Sequence, residues 1–309
     1  MFSTRVGRGV DREEAVLAKV IRGDFPGVEE HGETTRLPSS IAALNLRPQP
    51  GEVEGNLRLA GRAIRKLCRR SPSLRWVVLP ELFTCGYCDL GSAHHYAEDA
   101  EYGESARFFT ALARELGIFI AYGFPEEGPA AGAFDSANLV GPGGVLATYR
   151  KRNLVETTLE YRVFTSGSDL PVVEAGGLRV ALAICWDLGF PEVAREAAAG
   201  GAELVLAPAA WREPWGYQYA LSCAARALDS GIHLASANQL GDYPEARFGA
   251  PGHVYGPDGR RISRRLGAAS IARLDPGAPE LWRRFYGDTL IGHSRVVVGI
   301  DEGSLEIVS

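Results

Sequence analysis

Three observations predict an α/β protein whose sheet is not purely parallel: apolar strand-like runs, amphipathic helical stretches between them, and hairpins turning on glycine pairs. The strand runs are near-continuous in apolar residues, so both faces of the sheet should be covered. No Pro/Gly/Ser-rich linker divides residues 41–275, which read as one domain.

The elements follow in order. IAALNL reads as a buried strand, and EGNLRLAGRAIRKLCRR after it carries Leu57, Ala60, Ile64, Leu67 and Cys68 on one helical face. LRWVVLPELF is a strand ended by Pro80 and Gly86. ESARFFTALARELG is an amphipathic helix closed by Gly117, and IFIAYGF is the next strand. SANLVGPGGVLATYRK is two strands about a Gly-Pro-Gly-Gly turn, and PVVEAGGLRVALAIC repeats that hairpin pattern. Helix PEVAREAAAG, strand AELVLAPAA, helix YQYALSCAARALDSG and strand HLASANQ come next. GHVYGPDGRRISRR and GAASIARLD close the series as hairpin-like segments. Residues 1–36 are polar and read as an appended arm, with DREEAVLAKVI as a short helix behind Asp11. Residues 37–280 form the domain, and 281–309 a tail expected to pack on a partner subunit.

Composition narrows the function. The 309 residues are 46% apolar and 23% charged, a globular balance, and the formal charge of −5 argues against a nucleic-acid-binding face. No apolar run reaches the roughly 18 residues of a membrane span, so no membrane association is expected. The N-terminus lacks the apolar core and cleavage site of a secretory signal. Five cysteines at irregular spacings make no disulfide framework, so free thiols in a reducing cytoplasm are expected.

Three strand ends carry reactive groups. In AICWDLGFPE, Cys185 ends an apolar run before a turn and a helix whose first turn suits Pro191. That stretch alone reads equally as a buried structural cysteine or as a nucleophile. A nucleophilic thiol needs a base or a nearby cation, because at its ordinary pKa of about 8.5 it is mostly protonated at neutral pH. None of the six histidines (31, 94, 95, 233, 253, 293) lies near it in sequence. In VVLPELFTCGY, Glu81 follows an apolar run, where a lone carboxylate is ordinarily a solvated loop residue. In VLATYRKRNL, Lys151 ends a strand, and alone it is an ordinary surface lysine. Only Lys19, Lys66 and Lys151 among the 33 basic residues are lysines, which strengthens slightly the case that each stands where arginine would not serve.

Taken together, LPELFTCGY, YRK and ICWDLGFPEVAR make the chain resemble the nitrilase superfamily of carbon–nitrogen hydrolases, in a match that runs through GNLRLA, VFTSG, GAELVLAPAAW, ASANQLG and GPDG. The resemblance implies a four-layer α-β-β-α sandwich. It implies Cys185 as nucleophile and Glu81 as general base, which removes the need for a histidine. Lys151 and the backbone N–H of Trp186 would hold the oxyanion. A second glutamate would orient Glu81 and the substrate. Glu160 is chosen over Glu156 because it stands seven residues before Gly167, the spacing of the family motif. The implied reaction is hydrolysis of a non-peptide C–N bond in a small carboxamide or N-carbamoyl compound through a thioester, with no metal or organic cofactor, in a homodimer or larger homo-oligomer. A nitrilase acting on a C≡N bond, or an acyltransferase, would use the same residues; a non-enzyme of this fold would lack one. Two positions depart from the family pattern: Gly189 replaces an arginine common before the Phe-Pro, and Gly252 replaces a serine. Both leave the substrate open.

The remaining motifs read more simply. Cys85-x-x-Cys88 followed by His94 and His95 imitates a zinc site, but a structural zinc needs four ligands at defined spacing, so no metal is expected. Cys68 and Cys223 sit on apolar helical faces. Asp187 and Glu192 are placed to brace the nucleophile turn and its helix. The aromatic stretch WREPWGYQY reads as a pocket wall or a subunit contact. Tyr87, Trp211 and Asn238 are the expected substrate contacts, in a pocket built from loops after residues 84, 124 and 210.

Overall fold

A computed structural model describes residues 39–286 apart from 88, 89, 130 and 131, with side chains to residue 283. The expected N-terminal arm and the tail beyond residue 286 lie outside the described residues.

Seven strands form the first sheet, in the order β13-β14-β1-β2-β3-β4-β5. These are β1 (Ser40–Leu44), β2 (Leu74–Val78), β3 (Phe119–Glu127), β4 (Ala133–Gly141), β5 (Gly144–Arg150), β13 (Arg264–Leu266) and β14 (Ala269–Arg273). The second sheet runs β12-β9-β8-β7-β6, from β6 (Val172–Ala175), β7 (Leu178–Leu182), β8 (Leu204–Ala209), β9 (His233–Asn238) and β12 (Val254–Tyr255). A short pair, β10 (Gly241–Asp242) and β11 (Arg247–Phe248), stands apart. Both large sheets mix parallel and antiparallel pairs, as the alternation of helical crossovers and glycine hairpins requires.

The period-two alternation of each strand divides its side chains between two cores. Ile41, Ala43, Trp76, Val78 and Ala121 of the first sheet face inward and share a core with Val180, Leu182, Leu204 and Leu206 of the second. Their neighbours Ala42, Leu44, Val77, Leu79 and Ile120 point the other way. There they meet Leu57, Ile64 and Leu67 of α1 (Val53–Arg70) and Phe109 and Leu112 of α2 (Glu104–Leu116). Burying each of those leucine or isoleucine side chains contributes about 1.5–3 kcal/mol. Helices α4 (Pro191–Ala199) and α5 (Gly216–Ser230) bring Val193, Ala197, Tyr219 and Ala227 to the second sheet. The layers are α-β-β-α. No helix among the described residues is long and apolar enough to cross a membrane.

GHVYGPDGRRISRR turns back on itself as expected: Tyr255 bridges Arg261 in antiparallel fashion, and the Gly256 and Ile262 N–H groups donate to Arg260 O and Val254 O at 2.9 Å. Its two ends also join different sheets, Val254–Tyr255 with β9 in the second and Arg264–Leu266 with Ala269–Arg273 in the first. Burial explains the split, since Val254 and Tyr255 fill the core while Arg264 and Arg265 stay in solvent. The expected boundary at residue 280 falls inside α6 (Ala278–Tyr286). Cys68 is half-exposed, whereas Cys223 is buried in the core.

Candidate active site

Glu81 stands where β2 gives out. Pro80 has no N–H to continue the ladder, so the chain leaves the sheet, and Leu82 turns it with φ +43°. The Glu81 N–H donates to Ala209 O of the facing sheet at 3.3 Å, and β3 passes directly behind the turn. That close approach requires glycine at 123, where a Cβ would lie 2.5 Å from Leu82 N. The carboxyl group is thereby fixed in the interior, fully buried.

Lys151 follows β5. Its N–H donates to Asp135 O at 2.8 Å and its carbonyl accepts the Gly167 N–H at 2.9 Å. Its Nζ lies 2.5 Å from Glu81 Oε1, 2.9 Å from both Glu160 oxygens and 3.5 Å from Asp135 Oδ2. All four side chains are fully buried. Glu160 opens the short helix α3 (Glu160–Val163). Its Oε2 accepts the Val155 N–H at 2.8 Å and its Oε1 accepts the Tyr87 hydroxyl. Burial alone would push the Lys151 ammonium down, but Glu160, Glu81 and Asp135 outweigh it and hold it well above the usual lysine range. Burial raises the Glu81 carboxyl, with Lys151 pulling it back.

Cys185 opens a 3₁₀ turn, Cys185–Gly189, separated by two residues from the end of β7, with φ +44°. A non-glycine residue in that region costs about 1–3 kcal/mol and persists only where its surroundings enforce it. Asp187 enforces it. Its N–H donates to Ile184 O at 2.9 Å while its Oδ2 accepts the Ile184 N–H at 2.9 Å, so residue 184 is held from both sides. The same Oδ2 accepts the Tyr149 hydroxyl, and Oδ1 accepts the backbone and side-chain N–H of Asn153, each at 2.9 Å. Burial and then the Glu81 charge push the Cys185 thiol well above its usual range, against Lys151. A sulfur so placed rests protonated and needs a base to act as a nucleophile.

Glu81, Asp135 and Glu160 present oxygens within 4.8 Å of one another, which among the described residues is the one cluster of metal-ligand type. Lys151 Nζ is the cation between them. Of the lookalike zinc set, Cys88 lies outside the described residues, Cys85 is buried with its sulfur toward Leu82 O and Gly86 O, and His94 and His95 are exposed.

Cys185 opens into a cavity of about 280 Å³ walled by Tyr87, Val155, Trp186, Trp211 and Trp215, with Thr157, Thr158, Arg212 and Gln218 supplying polar groups. The structure thus brings Tyr87, Trp186 and Trp211 to one cavity. Asn238 does not line it: its amide is spent on Trp211 N, Trp211 O and Ala250 O, so it holds the Trp211 wall from behind. The loop after residue 124 is replaced as a wall by residues 155–158. Glu156 is exposed. At Gly252 a Cβ would fall 2.0 Å from Ser236 O, so this backbone admits only glycine; at Gly189 it would meet the Trp186 ring at an ordinary 3.5 Å. The sequence reading missed Asp135; Arg212 and Trp215 belong to WREPWGYQY, whose reading as a pocket wall or a subunit contact did not single them out.

The family model for carbon–nitrogen hydrolases matches residues 40–284. A probable nitrilase of Schizosaccharomyces pombe is 32% identical over 229 residues, 73% of this chain and 84% of its own length. The omega-amidase YafV of Escherichia coli is 29% identical over 200 residues, 64% of this chain and 75% of its own. Among solved structures, a mutant of the amidase from Nesterenkonia sp. AN1 superposes with a TM-score of 0.70 at 28% identity, over 80% of this chain and 97% of its own. That structure shows the acetamide moiety of fluoroacetamide added covalently at the active-site cysteine.

Proposed function

The chain belongs to the carbon–nitrogen hydrolase family, and from that premise we propose that it hydrolyses the C–N bond of a small carboxamide through a thioester on Cys185. The observation that carries this reading is the fully buried cluster of Glu81, Lys151 and Glu160 together with the Cys185 thiol lining an apolar cavity. Glu81 takes the thiol proton as sulfur attacks the carbonyl carbon, while Lys151 Nζ and the Trp186 N–H hold the oxyanion. Glu81 returns that proton to the departing nitrogen, so ammonia or an amine leaves. It then takes a proton from the water that attacks the thioester and passes it to the departing Cys185 sulfur as the C–S bond breaks, so the free acid departs and the thiol is restored. Glu160 keeps Lys151 charged and in place. The covalent adduct on the related amidase supports the role of Cys185.

The tryptophan walls favour an apolar acyl group. Among the described residues, Arg212 lines the cavity without a side-chain ion pair or hydrogen bond, and we assign it to a carboxylate at the far end of the acyl chain. The exposed apolar residues Tyr217, Leu221 and Leu228 of α5 support self-association, which sedimentation velocity tests. A cytoplasmic location is proposed because the reaction needs a reduced thiol.

The test is ammonia release over a panel of apolar amides, ω-amides, N-carbamoyl amines and nitriles, with Cys185→Ala as control. Release from an amide that the variant loses supports the reading. Turnover of nitriles alone would move the assignment to a nitrilase, as the S. pombe relative's name suggests. No release from any compound overturns hydrolysis.

A further inference from the structure

The proposed mechanism leaves one buried acid unused. Asp135 lies in β4, fully buried, and neither of its carboxyl oxygens has a hydrogen-bond partner. Its nearest cation, Lys151 Nζ, is 3.5 Å away, outside good hydrogen-bond length. Glu81 Oε2 is also buried and also lacks a donor. Both deficits lie in one cluster, in which Glu81, Asp135 and Glu160 each place a carboxyl oxygen within 4.8 Å of the others.

Charge decides how they resolve. Three carboxylates around one ammonium, all without solvent, leave an excess of negative charge that burial makes costly. Glu160 has three donors, Lys151 Nζ, the Val155 N–H and the Tyr87 hydroxyl, on its two oxygens. Glu81 has Lys151 at 2.5 Å. Asp135 is the least served, so the extra proton belongs there. A protonated carboxyl is a donor, and Glu81 Oε2 is the acceptor that lacks one.

We propose that Asp135 is a positioning residue carried as a neutral carboxylic acid, its O–H donated to Glu81 Oε2 to fix the general base toward Cys185. Burial, and then the charge of Glu81, favour the protonated form. The charged groups facing it are Glu81 from the turn after β2, Lys151 from the end of β5 and Glu160 from α3. Arg150 and Glu126 pair with each other, with the Ser136 hydroxyl on Glu126, and so belong to the other face of the hairpin. The proposal rests on the role given to Glu81.

Infrared spectra of the full chain at neutral pH test it without turnover. The expected result is a protonated-carboxyl C=O band in the wild type that is lost in Asp135→Asn, whose amide N–H donates the same bond. No such band in the wild type, or one that persists unchanged in Asp135→Asn, overturns the proposal whether or not the amide panel succeeds. With an amide substrate, Asp135→Ala should lower kcat/KM by roughly 10–100-fold and move its acid limb to higher pH, because the Glu81 carboxylate loses a donor. Asp135→Asn should rescue most of that loss. An acid limb shifted to lower pH in Asp135→Asn would mean that a charge had been removed, and would also refute the neutral acid.

Discussion

Replacing Asp187 by asparagine tests how the nucleophile turn is held. The carboxylate accepts two donors on each oxygen: Asn153 N–H and Nδ2 on Oδ1, Ile184 N–H and Tyr149 Oη on Oδ2, all at 2.9 Å. An amide keeps one acceptor oxygen and turns an NH₂ toward the other pair. The Tyr149 hydroxyl can rotate to accept, and the Asn153 amide can flip. Neither backbone N–H has such freedom. Whichever way residue 187 turns, one buried N–H of Ile184 or Asn153 is orphaned, at a cost of about 1–3 kcal/mol. The amide is easier to bury than the carboxylate, which offsets part of this. The expected net loss is therefore about 1–2 kcal/mol of a stability that in such domains totals about 5–15 kcal/mol. Activity should suffer more. Ile184 precedes Cys185, whose φ of +44° depends on that tether, and a displacement of about 1 Å at a reacting atom costs on the order of 100-fold. Urea denaturation and kcat/KM on the best amide measure both. An Asp187→Asn enzyme with wild-type kcat/KM would refute the claim that this carboxylate sets the nucleophile.

Three further outcomes are expected. Because burial raises the Glu81 carboxyl and the base must be ionised to take the thiol proton, kcat/KM should fall on acidification through a limb above the ordinary glutamate value of about 4.3, and a limb at that value would contradict the buried base. Restoring the family's serine as Gly252→Ser should lower the unfolding free energy measured by urea denaturation by about 1–3 kcal/mol, since the new Cβ meets Ser236 O at 2.0 Å, whereas Gly189→Ala should be neutral in the same assay. Arg212→Gln should raise KM roughly 10–100-fold for amides bearing a distal carboxylate and leave uncharged apolar amides unaffected; equal effects on both would remove Arg212 from substrate recognition.

How far the sequence carried the reading depended on whether a feature was local. Glu81, Lys151 and Cys185 each follow an apolar run, and a strand end is visible in one dimension, but their roles came only from the resemblance of LPELFTCGY, YRK and ICWDLGFPEVAR to the family. The resemblance, through the family motif's spacing to Gly167, selected Glu160 over Glu156, and the structure puts Glu160 inside and Glu156 in solvent. Asp187 was legible as a brace because it lies two residues from Cys185. Asp135 was not. The hairpin begins with Gly141 opposite Gly144, and an unbroken count would set Asp135 against Arg150. A bulge between Leu139 and Val140 shifts the pairing to Ser136 opposite Arg150, which brings Asp135 beside Lys151. No residue in GAFDSANLVGPGG signals that shift. Asn238 failed for a related reason: its three partners at Trp211 and Ala250 come from loops that only the folded chain gathers.

The central claim is a thioester at Cys185, and trapping it is the most direct test. The full-length enzyme would be incubated with its preferred amide and hydroxylamine, with the product analysed for hydroxamate and the quenched protein for intact mass. The account predicts a hydroxamate of the acyl group and an acyl mass on wild-type protein, both absent in Cys185→Ala. Ammonia release that continues in Cys185→Ala, with no acyl mass on the wild type, would contradict it.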